Sequence, residues 1–195
     1  MEAVDKIIVC PACHAKNKIP SEKSGIKAKC GKCGAELPEK SPADGSERPL
    51  ILRCTQCGGK NRVPVEKLPQ GAKCGKCHTP LKTEDVMTAW AIPVTDINFD
   101  SKVLQSPLPV LLELISPTCG ACTISRPVVN QLAADWKGRV RVGRMDIIQS
   151  PHTANRYQVM STPTSLIFDR KRLVDTVIGA VPREVFLRKL APYLA

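Results

Sequence analysis

The feature that most restricts this chain is a four-cysteine unit that occurs twice. Cys10, Cys13, Cys30 and Cys33 recur as Cys54, Cys57, Cys74 and Cys77, so both copies read Cys-x2-Cys-x16-Cys-x2-Cys. The flanks repeat as well: Lys-Asn-Lys-Ile-Pro ends at Pro20, and Lys-Asn-Arg-Val-Pro ends at Pro64. Every matched position lies 44 residues from its partner (10 to 54, 33 to 77). A unit of about 35 residues is too short to stabilise itself by burying apolar surface. Four thiolates at this spacing meet the demand of a tetrahedral zinc ion, and the metal then supplies the missing folding free energy. The small residues Gly31 and Gly75 let the backbone turn around the ion. The expectation is two zinc-ribbon-like β modules, residues 1–40 and 50–84, each built of short hairpins and each holding one structural Zn2+.

Two other chemistries use paired cysteines. Cys10-x-x-Cys13-His14 and Cys74-x-x-Cys77-His78 fit a haem-attachment pattern. The histidine, however, falls in opposite halves of the two copies, and its equivalents are Gly58 and Gly34. A feature of the module survives duplication, and this one does not. Disulfides are the second alternative, which a reducing compartment disfavours. The first ten residues include Glu2 and Asp5 and lack the apolar core of a secretory signal. No apolar run of about eighteen residues occurs anywhere. A cytoplasmic location with no membrane partner is therefore expected.

The net charge of +11 first points to a polyanion. Zinc-bound thiolates would reduce the excess charge of the N-terminal half to about +2. No aromatic residues are interleaved with the lysines to stack on bases, so a nucleic-acid partner is not expected. Residues 41–49, rich in Pro, Ser and charge, read as a linker. Residues 85–93 read as a second one, with Trp90 packing on a neighbouring domain.

From Val94 onward the apolar pattern changes. Asp96–Gln105 is a short helix candidate with Asp96 as its N-cap. Val110–Ile115 is an apolar run broken only by Glu113, as in a central strand. Thr123–Trp136 has helical spacing, with a kink expected at Pro127. Val140–Asp146 reads as a strand and Pro151–Tyr157 as a short helix. Thr164–Phe168 and Leu173–Ile178 read as a hairpin, and Pro182–Leu194 as a closing amphipathic helix. The order predicts an α/β domain over residues 94–195, a mixed sheet covered by helices. The fifth cysteine pair, Cys119 and Cys122, lies outside the repeat, between a strand and a helix. Unpaired backbone N–H groups and the helix dipole stabilise a thiolate there, and a thiolate is the species that attacks disulfides.

These motifs together resemble the thioredoxin superfamily. The resemblance covers the apolar strand, Cys119-Gly-Ala-Cys122, Pro127, Ser161-Thr-Pro-Thr164 and Val177-Ile-Gly-Ala180. With a cysteine module ahead of the domain, the chain is similar to the zinc-binding branch known as bacterial second thioredoxins, but carries two modules in place of one. The resemblance implies a thioredoxin fold and a set of roles. Cys119 is the nucleophile, Cys122 the resolving cysteine, and Pro163 a cis proline beside them. Glu113 takes the position of a buried acid that moves a proton, with an ion pair to Arg144 as its alternative role. Thr118, Gly120, Ala121, Thr162, Gly179 and Ala180 form the groove that receives substrate as an added strand. The implied activity is that of a cytosolic protein-disulfide reductase, acting on disulfide-containing proteins and re-reduced by thioredoxin reductase or glutathione. Thr118, Ala121, Thr162 and Glu113 depart from the usual Trp, Pro, Ile and Asp. They leave open a disulfide oxidase or isomerase, and a zinc-module adaptor or redox sensor is a further alternative.

Overall fold

A computed structural model describes residues 6–9, 16–19, 28–34 and 49–194. The chain divides into two compact units, Met1–Arg48 and Pro49–Ala195. In the first, β1 (Lys6–Val9) pairs antiparallel with β2 (Lys16–Ile19). Cys10, Cys13 and all of the expected 41–49 linker except Pro49 lie outside the described residues.

The second unit opens on β3 (Leu50–Arg53) and β4 (Lys60–Val63), again antiparallel. Leu50 faces Val63 as Lys6 faces Ile19, so the repeat extends to strand register. This hairpin does not close a core of its own. Leu50, Leu52, Val63, Leu68, Leu81 and Val86 are buried together with Leu108, which belongs to the segment leading into the large sheet. The Arg53 N–H donates to the Pro107 carbonyl at 2.9 Å, and the Arg53 guanidinium pairs with Asp169. Residues 85–93, expected as a linker, are packed. The Val86 carbonyl accepts the Gly138 N–H at 2.9 Å, and Ile92–Pro93 forms β5 in the large sheet. Gly138 has φ +76, and a Cβ there would lie 2.6 Å from Leu50 Cδ2, so only glycine fits this approach. Trp90 is 66% exposed, contrary to the packing expected of it, because Val86 and Ile92 fill the buried positions on either side.

The large sheet runs β5, β7 (Arg141–Asp146), β6 (Val110–Ile115), β8 (Thr164–Asp169) and β9 (Arg172–Ile178). Its centre is β6, parallel to β7 and antiparallel to β8. A tight turn joins β8 to β9. Successive strand residues face opposite sides. Leu111, Val142 and Ile167 therefore pack under α1 (Gly120–Asp135) and α3 (Arg183–Leu190), with Val129, Leu132, Phe186 and Leu190. Leu112, Leu114 and Phe168 face Phe99, Val103 and Tyr157 on the other side. This is the mixed sheet covered by helices that the sequence predicts.

Two helices differ from expectation. The 96–105 stretch forms only a five-residue π-helical turn, Asp100–Leu104, and Asp96 does not cap it. Asn98 Oδ1 takes the nearby Thr95 N–H at 2.9 Å, which leaves Asp96 to accept the N–H groups of His152 and Thr153 at 3.0 and 2.9 Å. These belong to the first turn of α2 (Pro151–Arg156), whose N–H groups have no partner within the helix. Burial pushes the Asp96 carboxyl up, but hydrogen bonds from Thr153 and His152 outweigh it and hold the carboxyl below its usual range. Helix α1 starts at Gly120, three residues before the expected Thr123, and Pro127 lies inside it.

Candidate active site and metal centre

β6 delivers Ser116–Cys119 at its C-terminal end, and α1 begins immediately after. Cys119 is the N-cap of α1, with an extended backbone and its Sγ accepting the Cys122 N–H at 3.1 Å. A cap residue has to leave the helical conformation to aim its side chain back at the first turn. Cys119 is half-buried and Cys122 buried. The two are joined as a disulfide, Cα–Cα 5.3 Å, the oxidised state of a dithiol. Thr118, Gly120 and Ala121 are exposed around them.

The sheet register gathers the remaining predicted residues. Thr164 lies opposite Leu114, so Pro163 falls at the end of β6 where the cysteine loop leaves. The Thr162–Pro163 peptide is cis. Thr162 Oγ1 lies 3.2 Å from Ser116 Oγ, tying the two loops together. The Pro163 carbonyl accepts the Gly179 N–H at 2.8 Å. Gly179 has φ +85, which an L side chain rarely adopts, and Ala180 beyond it is exposed. Three separate segments thus meet at one end of the sheet. Ile124, Met160 and Ile178, all strongly exposed, belong to the same segments or adjoin them. The sequence does not single them out, since an isolated exposed apolar residue leaves no periodic signal.

Glu113 is fully buried. Strand alternation puts it on the α1 face with Leu111, and register puts it beside Arg144. Its Oε2 accepts Arg144 Nε at 2.7 Å, so the ion pair is present. Its Oε1 accepts the Ser125 hydroxyl at 2.6 Å. Ser125 Oγ is also 3.2 Å from the Cys122 carbonyl. Sequence alone does not single out Ser125, because a serine in a helix usually faces water. The available signal was its place on the buried stripe, four residues before Val129.

The second cysteine cluster is assembled. The sulfurs of Cys54, Cys57, Cys74 and Cys77 all lie within 4.8 Å of one another, with Cys54–Cys77 and Cys57–Cys74 at 3.6 Å. Tetrahedral Zn–S bonds of ~2.3 Å place sulfurs about 3.8 Å apart, so the set fits a zinc ion. The separations are too long for disulfides, whose sulfurs sit at ~2.05 Å. Backbone N–H groups of Cys77 and Lys76 bring the Cys74 thiol down to about 6, favouring the thiolate a metal binds.

Asn61 braces the site. Its Oδ1 accepts the Gly75 N–H at 2.8 Å, and its amide donates to the Gly59 carbonyl at 2.9 Å. The same contact occurs 44 residues earlier, where Asn17 Oδ1 accepts the Gly31 N–H at 2.9 Å. Lys32 N–H likewise donates to Cys30 Sγ as Lys76 N–H does to Cys74 Sγ, both at 3.4 Å. The residue after a second cysteine takes a left-handed backbone: φ is +73 at Gly34, +71 at Gly58 and +60 at His78. His78 is thus a turn residue.

Comparison with known proteins agrees with this geometry. The thioredoxin family model matches residues 91–191. A zinc-ribbon model described as thioredoxin 2, N-terminal, matches twice, at 9–35 and 53–79. Thioredoxin M4 of Arabidopsis thaliana, a chloroplastic protein, is 41% identical over 110 residues, 55% of this chain and 57% of its own length. The thioredoxin of Synechocystis is 39% identical over 101 residues, covering 52% of this chain and 94% of the relative. Thioredoxin 2 of Chlorobaculum tepidum is 32% identical over 100 residues, 51% of this chain and 92% of its own. No helix among the described residues is long and apolar enough to cross a membrane. A redox-capable cysteine pair capping a helix beside a cis proline, on a mixed sheet preceded by cysteine-rich ribbon modules, places this chain in the thioredoxin family of thiol–disulfide oxidoreductases.

Proposed function

We propose that this chain is a cytoplasmic protein-disulfide reductase whose Cys119–Cys122 dithiol reduces disulfide-containing proteins. The observation that carries the reading is the pairing of a half-exposed N-cap sulfur, Cys119, with a buried partner one turn on, Cys122. Cys119 as thiolate attacks one substrate sulfur, and the other substrate sulfur leaves and takes a proton from water. Cys122 then passes its proton to Glu113 and attacks Cys119 Sγ. The second substrate sulfur leaves as a thiolate and is protonated from water, Glu113 returns its proton to water, and the enzyme holds the disulfide. Two electrons have passed to the substrate. Thioredoxin reductase or glutathione returns two electrons and two protons to Cys119 and Cys122.

Thr118, Gly120, Ala121, Thr162, Gly179 and Ala180 form the substrate groove, with Pro163 at its floor and Ile124, Met160 and Ile178 supplying exposed apolar contact. In this reading the chain comprises zinc modules over 1–40 and 50–84, a linker over 41–49, a packed connection over 85–93 that ends in β5, and the thioredoxin domain over 94–195. The modules hold two structural zinc ions, on Cys10, Cys13, Cys30 and Cys33 and on Cys54, Cys57, Cys74 and Cys77. Bound zinc fixes the module fold and takes no part in the exchange.

Reduction of insulin disulfides with NADPH and thioredoxin reductase tests the proposal. Wild type is expected to turn over and Cys119→Ser to be inactive. Equal turnover by the two proteins would overturn it.

A further inference from the structure

We infer that Ser125 is a positioning residue for the second half of the exchange, the step in which Cys122 gives up its proton and displaces the substrate. The inference rests on the reductase reading above and adds to it the group that keeps Glu113 partnered while the proton moves.

A hydroxyl carries one proton and two lone pairs. Ser125 Oγ has two acceptors in reach, Glu113 Oε1 at 2.6 Å and the Cys122 carbonyl at 3.2 Å. It can donate to one of them at a time. An ionised carboxylate with no exposed surface needs donors on its oxygens. Arg144 serves Oε2 and Ser125 serves Oε1. When Glu113 takes the Cys122 proton, it becomes a donor and needs an acceptor. Arg144 cannot be that acceptor, because a guanidinium only donates. Asn130 Oδ1 is already engaged with Arg144 Nη2 at 3.2 Å. Ser125 Oγ can accept the carboxyl proton and turn its own proton to the Cys122 carbonyl, one helical turn back. The change is a rotation of a single O–H bond with no movement of heavy atoms. Both charge states of the buried acid thus stay satisfied, and the contact with the Cys122 carbonyl ties the acid to the turn that carries the resolving sulfur. Alanine would be the better helix former at this position, so helix propensity does not account for the serine.

The experiment follows the two steps separately in the zinc-loaded full chain, using 2-hydroxyethyl disulfide as probe. Rapid acid quench and mass measurement count the mixed disulfide on Cys119 over time. Ser125→Ala is expected to form the mixed disulfide at the wild-type rate and to resolve it about tenfold more slowly, part of the 10²–10⁴ typical of acid–base catalysis. Ser125→Thr is expected to restore resolution, and Ser125→Val, of the same shape without the hydroxyl, to match Ser125→Ala. The Thr and Val pair decides the matter if the alanine variant folds poorly. Resolution at the wild-type rate in Ser125→Ala, or equal rates for Thr and Val, overturns the role of Ser125 and leaves the reductase reading intact. A wild-type chain inert towards the probe overturns the reductase reading, and this inference with it.

Discussion

Replacing Arg53 by alanine probes the joint between the second cysteine module and the sheet. Its guanidinium pairs with Asp169 at the C-terminal end of β8, and the two side chains are only 13% and 9% exposed. Asp169 has one other basic neighbour, Arg170 at 3.6 Å, which is 66% exposed and screened by water. Removing one partner of a buried pair costs about 3–5 kcal/mol, because the other charge is left without compensation. Residual exposure and Arg170 reduce this to about 2–4 kcal/mol here. For a unit of this size that lowers Tm by roughly 5–15 °C. The assay is urea unfolding of the zinc-loaded protein, followed by fluorescence of the buried Trp136. Asp169→Ala and the double variant complete a cycle, with a coupling of about 1–3 kcal/mol expected. Because Leu108 shares one cluster with Leu52 and Val86, zinc release and Trp136 exposure are expected in the same transition. A cost below about 0.5 kcal/mol, or additive single variants, would refute an energetic tie between module and sheet.

Chelating zinc, or replacing Cys74 by serine, is expected to uncover Leu52 and Leu108 and to speed amide exchange at 107–111, read by hydrogen exchange and mass spectrometry. His78→Gly is expected to stabilise the second unit by about 1 kcal/mol in the same urea assay, since a non-glycine residue at positive φ carries a cost of that order. Asp96→Ala is expected to cost about 1 kcal/mol at pH 7 through loss of the α2 cap. The folded-state carboxyl of Asp96 lies below its ordinary value. Its contribution is therefore complete above the unfolded value near 4 and lost as pH falls through the folded value. The gap between wild type and Asp96→Ala should close over that acidic range, and a gap independent of pH would assign the cost to something other than the carboxylate.

Elements whose signal is local or repeated are legible in the amino-acid order alone. The 44-residue offset marks the eight candidate ligand cysteines. The apolar run around Glu113 marks β6, and the β6–β8 register brings Pro163 to the end of that strand. The resemblance implies Arg144 as a partner of Glu113, and the β6–β7 register sets the two side by side. Features that depend on contacts distant in sequence emerge only in the folded chain. β5 is two residues long and exists only through pairing with β7. Asp96 caps a helix 55 residues away because Asn98 had closed the local turn. The second module shares the Asn17/Asn61 contact with the first but is joined to the sheet by residues the first lacks: Leu50, Arg53 and Leu68 stand where the first has Lys6, Val9 and Ser24. The cysteine spacing is a short-range pattern, so duplication preserves it and the sequence displays it. Docking needs complementary groups at Leu108, Gly138 and Asp169, and only the folded chain brings those together.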